Sequence, residues 1–97
     1  MKENNMLQRD QELLDMLAEE SAEVIQAIMK INRHGIESYH PDFPEKDNRQ
    51  LLKDEMTDLL AVIEQVEKFI VGDIMFNETK QAWNKKLKYS HHQGQPK

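Results

Sequence analysis

The stretch Leu51-Leu52-Lys53-Asp54-Glu55-Met56-Thr57-Asp58-Leu59-Leu60-Ala61-Val62-Ile63 decides the fold. Apolar residues return in it every three or four positions. Extended to Val71, the stripe runs through Leu52, Met56, Leu59, Ile63, Val66 and Ile70, the period of an amphipathic helix. The spacing predicts a helix from about Arg49 to Val71. At about 100° of rotation per residue, Leu52, Leu59, Val62, Ile63, Val66 and Ile70 fill one broad arc. Glu55 falls inside it, and Asp58 falls at its edge beside Leu51 and Phe69. A carboxylate set in an apolar face has to be neutralised by pairing, by protonation or by a metal, because burying it bare costs more than packing returns.

A second acidic pair stands upstream in Ala18-Glu19-Glu20-Ser21-Ala22-Glu23-Val24. Glu20 and Glu23 share the i, i+3 spacing of Glu55 and Asp58, which puts each pair on one face of a helix. The surrounding residues predict that helix from about Leu7 to His34, with Leu14, Leu17, Val24, Ile28 and Ile31 as its stripe and Gly35 as its stop. Glu20 and Glu23 flank the stripe with Met16, Ala27 and Lys30. A single connection favours antiparallel packing of the two helices, which brings both pairs to similar heights. Four converging carboxylates repel, and a divalent cation removes the repulsion. An all-oxygen ligand set suits Mg²⁺ or Mn²⁺. Ferritin-type di-iron bundles use Glu-x-x-His, and neither pair here has that histidine.

Between the helices, residues 35 to 48 hold two prolines and no period, so they read as one long connection, of the kind that serves as a lid or binding loop. Tyr39 and Phe43 are its lid candidates, and Asp47 or Asn48 its cap for the next helix. Gly72-Asp73 reads as a break and a new N-cap. A third helix follows from about Ile74 to Tyr89, carrying Phe76, Ala82, Trp83 and Leu87, with Trp83 expected in the core. Lys80, Lys85, Lys86 and Lys88 crowd its later turns, where the helix dipole favours cations. Residues 1 to 6 and 90 to 97 read as disordered ends.

The totals narrow the class. At 97 residues the chain is expected to be a single domain, one that buries a limited share of its surface and gains from a partner chain. Charged residues are 32% and hydrophobic ones 38%, with three Gly and three Pro, which favours long helices. The expected fold is an all-α bundle of about three to four helices, completed by dimerisation or tetramerisation. A net charge of -5 argues against a nucleic acid partner. The lack of cysteine excludes disulfides, zinc thiolates and thiol nucleophiles. The absence of any long apolar run makes a membrane partner unexpected, and a cytoplasmic location is expected.

Glu-Glu-x-x-Glu at 19, 20 and 23, followed by Glu-x-x-Asp at 55 and 58, resembles the metal-binding signature of the MazG-like all-α nucleoside triphosphate pyrophosphohydrolases. The likeness extends to the basic segment Lys30-Ile31-Asn32-Arg33-His34-Gly35 and covers about residues 14 to 70. It implies Mg²⁺- or Mn²⁺-dependent hydrolysis of a nucleoside or deoxynucleoside triphosphate to the monophosphate and pyrophosphate, by a homodimer or homotetramer. By the same likeness Glu20, Glu23, Glu55 and Asp58 are the metal ligands, and Glu19 is a flanking acid. Glu19 or Glu23 could accept the proton of the attacking water. Lys30 and Arg33 could reach the outer phosphates, and Asn84 with Lys86 or Lys88 resembles the Asn and Lys that relatives place on a later helix for phosphate and sugar. The stretch between Glu23 and Glu55 is longer than usual in such proteins. A house-cleaning enzyme and a phage MazZ-like enzyme that depletes one dNTP, such as dGTP, both fit. The alternative is a non-catalytic helical dimerisation module whose acids form inter-chain salt bridges, a reading that leaves Glu55 within its apolar arc unexplained.

Overall fold

Two long helices and the loop between them carry the architecture. The structure, a computed structural model, describes residues 6–93. α1 spans Gln8–His34, α2 spans Asn48–Val66 and continues as a π-helical turn over Glu67–Val71, and α3 spans Phe76–Leu87. No strand occurs among the described residues, so the all-α expectation holds. The disordered ends expected from the sequence lie mostly outside the described residues.

α1 ends where the sequence places its glycine. Gly35 takes φ 94 and ψ 158, a region open to glycine alone, and its N–H closes the helix on the Ile31 carbonyl at 2.7 Å. α2 begins on a polar cap, Asp47, whose side chain accepts the N–H of Gln50 at 2.9 Å. α1 and α2 pack along their lengths as an antiparallel hairpin. The register is visible in level pairs. The Arg9 guanidinium lies 4.0 Å from the Phe69 ring centre at the far end, and Ala27 meets Leu51, and Lys30 Asn48, across shared cavity walls nearer the loop. Ala27 and Val66 are the buried apolar residues.

The connection is fastened at many points. Asn48 N–H donates to the Ser38 carbonyl at 2.8 Å and Arg49 N–H to Ile36 at 2.9 Å, while Tyr39 and Asp47 form an isolated antiparallel bridge. Lys46 Nζ donates to Asp54 Oδ2 at 2.9 Å, and Gln50 Nε2 holds the other Asp54 oxygen at 2.8 Å.

The far end of α2 departs from the regular spacing. Gly72 N–H bonds to the Glu67 carbonyl at 2.9 Å, the five-residue reach of a π turn, and Glu67 Oε2 accepts Ile74 N–H at 2.8 Å. Gly72, with φ 83, makes the expected break. The next cap is Met75 rather than Asp73, because Glu78 reaches back to Met75 N–H at 2.8 Å. α3 stands off the hairpin. Trp83, expected in the core, is 51% exposed, and Phe76 is 81% exposed. The described residues leave much of their apolar face uncovered.

Candidate active site

Glu20 and Glu23 come from the middle of α1 and Glu55 from the second turn of α2. The hairpin register sets them level. One carboxylate oxygen from each of the three lies within 4.8 Å of the other two. Glu20 and Glu55 are half-buried and Glu23 is exposed, so the group forms a niche with a dry floor and a wet rim. Glu20 Oε2 and Glu55 Oε2 are buried with no hydrogen-bond partner. Buried polar atoms are normally satisfied, so with the carboxylates ionised these two oxygens lack a partner that a proton shared with Glu23 or a bound cation would supply.

The electrostatics agree. Removal from water raises the Glu20 pKa above its ordinary value, with further upward pushes from the Glu23 charge, a hydrogen bond to Glu23, and the charges of Asp58 and Glu19. Glu55 is raised chiefly by a hydrogen bond with Glu23, then by burial and by the charges of Glu23, Asp58 and Glu20. Two ionised carboxylates have no proton to share, so that hydrogen bond exists only in the protonated form and favours it. Crowded negative charge and removal from water thus both favour protonation at Glu20 and Glu55.

Asp58, the fourth expected ligand, lies outside the group of three and is exposed, yet its charge acts on both Glu20 and Glu55. Glu19 is exposed and acts on Glu20 alone of these two. Lys30 lines a cavity of about 210 Å³ together with Glu23 and Glu55, and it has no ion-pair partner among the described residues. Arg33 is exposed at the end of α1. Asn84 and Lys86 ride on α3 and Lys88 caps its end, and among the described residues this helix has no extensive packing against α1 or α2.

A model of the MazG nucleotide pyrophosphohydrolase domain matches residues 8–94. The chain belongs to the MazG family. The match takes in α1, α2, α3 and both acidic pairs, a wider span than the motif likeness alone. No curated protein and no solved structure matches the chain.

Sequence reasoning treated Asn48 only as a possible cap. It is instead a buried polar residue, 6% exposed, whose Nδ2 donates to the Gly35 carbonyl at 2.9 Å. The signal was the doublet Asp47-Asn48, two cap-type residues where a helix start uses one. Tyr39 and His40 line a second cavity of about 280 Å³ with Asn48 and Leu51, so this loop forms a wall of a cavity.

Proposed function

We propose that this MazG-family chain hydrolyses a nucleoside or deoxynucleoside triphosphate to the monophosphate and pyrophosphate, with a divalent cation, Mg²⁺ or Mn²⁺, held by Glu20, Glu23, Glu55 and Asp58. The observation that carries this is the pair of orphaned oxygens, Glu20 Oε2 and Glu55 Oε2, in a niche where three carboxylates crowd within 4.8 Å. The donor set is all oxygen, which suits a hard cation. When bound, the ion supplies charge neutralisation for the phosphate oxygens and acidifies a coordinated water.

The chain's own groups do the rest. Lys30, unpaired beside the niche, meets the outer phosphates and offsets the repulsion they feel from the acids. Arg33, three residues on, extends that basic edge. Either Glu23, which reaches the rim of the niche, or Glu19 next to it takes the proton from the attacking water. The bond broken is a P–O bond of the α–β phosphoanhydride bridge: the water oxygen adds to one of the two phosphorus atoms, and the other leaves with the bridging oxygen, giving the monophosphate and pyrophosphate. Asn84, Lys86 and Lys88 contact phosphate and sugar only from a second copy of the chain, whose α3 would lie over this hairpin. The exposed apolar face of α3 supports that homodimer or homotetramer. A purely structural dimerisation module explains the face but leaves the crowded carboxylates without a purpose. The activity belongs to nucleotide pool control or house-cleaning, and no helix among the described residues is long and apolar enough to cross a membrane.

The test is to incubate the protein with each of the eight common NTPs and dNTPs, with Mg²⁺ or Mn²⁺, and to measure pyrophosphate. Release from at least one, abolished by EDTA, is expected. No release at near-stoichiometric enzyme would favour the structural module.

A further inference from the structure

The cavity beside the loop carries a feature that metal-dependent hydrolysis does not use. Asn48 is 6% exposed and opens α2. Its amide orientation is fixed, because the Gly35 carbonyl can only accept and so must face Nδ2. Oδ1 is therefore the opposite atom of the amide. It accepts no hydrogen bond among the described residues, and it is not one of the fully enclosed unpartnered oxygens, which are Glu20 Oε2 and Glu55 Oε2. It reaches accessible space. The two cavities that Asn48 lines supply that space.

These cavities adjoin. Lys30, Asn48 and Leu51 line both, one leading to Glu23 and Glu55, the other bounded by Tyr39 and Pro41. Asn48 and Glu55 are seven residues apart on α2, about 10 Å along the helix, a span that a sugar and its first phosphate can bridge. The loop wall is tied to α2 by the Ser38 and Ile36 carbonyls and by the Lys46–Asp54 pair.

Resting on the hydrolase reading, we infer that the cavity between Tyr39, Pro41 and Leu51 receives the nucleobase, with Asn48 Oδ1 accepting a hydrogen bond from an N–H on the base's pairing edge. The Tyr39 ring and the Leu51 side chain offer apolar surface to the base's face, and Gly35 holds the asparagine so that it presents an acceptor. The ligand class is a nucleotide whose base carries a ring or exocyclic N–H at that edge. An aromatic wall tolerates every base face, and each common base has an N–H on its pairing edge, so the fixed acceptor discriminates against bases whose N–H there is blocked, which cover Oδ1 without giving it a partner.

The test compares kcat/KM for the best substrate with that for its analogue whose pairing-edge N–H donors are all removed by methylation, ring N-methyl for a ring N–H and N,N-dimethyl for an exocyclic amine, in the wild type, Asn48→Ala and Tyr39→Ala. The wild type should reject the methylated analogue by tenfold or more. Asn48→Ala should lose most of that discrimination, and Tyr39→Ala should raise KM for the unmodified nucleotide several-fold with kcat little changed. Tyr39 is exposed and its bridge to Asp47 uses backbone, so this variant reports even where Asn48→Ala does not fold. If methylation is tolerated by the wild type, or Tyr39→Ala leaves KM unmoved, the pocket is overturned while the hydrolase reading stands. Absence of pyrophosphate release from every nucleotide overturns both.

Discussion

Glu55 sets stability against chemistry. It stands half-buried, with Glu20 and Glu23 close enough to raise its pKa. Glu55→Gln keeps the shape and deletes one repelling charge. Hydrolysis should fall by at least about 100-fold, the upper end of what losing a mere outer-shell partner costs, while helicity by circular dichroism is retained. The variant should also melt no lower than the wild type in EDTA at pH 7.5, and lose the metal-induced rise in Tm. A second expectation concerns pH. Glu20 and Glu55 bind protons more tightly folded than unfolded, so their contribution is fully present below the ordinary value of 4.5 and is lost as pH rises through the raised values. Asp54, lowered chiefly by its hydrogen bond from Lys46, works the other way, its contribution present above 3.8 and lost as pH falls through the lowered value. Thermal melts in EDTA should therefore show stability declining above the mid-acidic range. Mg²⁺ should restore it at pH 7.5 and do little near pH 4.5, because ligands must be deprotonated to bind. A flat response to Mg²⁺ at every pH would remove the metal site.

At the scale of elements, what the sequence could reveal depended on whether a signal was local. The end of α1 was legible because Gly35 marks it, and the start of α2 because Asp47 caps it. The level placement of Glu20, Glu23 and Glu55 was legible too, since each sits at a fixed angle on its helix and a single loop forces antiparallel packing. The bracket around Asn48 was not, because the Asn48–Gly35 and Lys46–Asp54 bonds join residues 13 and 8 positions apart across an aperiodic loop. Nor was the π turn at Glu67–Val71, which a 3.6-residue period does not contain. Gly35 makes this scale testable. Its φ of 94 is closed to other residues, and a Cβ there would meet nothing within 4 Å, so Gly35→Ala acts through backbone strain alone. It should cost about 1–3 kcal/mol in urea unfolding. Gly72→Ala, with φ 83 and equal room, should cost a similar amount. Of the two, only the Gly35 variant should also disturb substrate preference, since the Gly35 carbonyl and not Gly72 holds the Asn48 side chain.

The whole molecule is too open for its length. Its Cα radius of gyration is 17.2 Å, against about 12.5 Å for a compact domain of this many residues. A stripe of apolar residues tells which face of α3 seeks cover, and nothing in it tells what supplies the cover, which is why Trp83 looked like core in the sequence and stands in the open in one chain. The aromatic ring of Trp83 and that of Phe76 on the same helix offer a large share of the apolar area that an association could bury. Burial only in an oligomer makes folding depend on concentration. Sedimentation at micromolar concentration should therefore find a dimer or tetramer, with Tm rising with protein concentration. Trp83 is the only tryptophan, so its emission reports on this face directly. The emission should be blue-shifted in the assembly and move to the red on dilution. Trp83→Glu should drive the protein towards monomer and lower Tm, and if Asn84, Lys86 and Lys88 act across the interface, KM for the nucleotide should rise with it. A monomer at every concentration with red-shifted emission would show that one chain suffices, and would take those three residues out of the site.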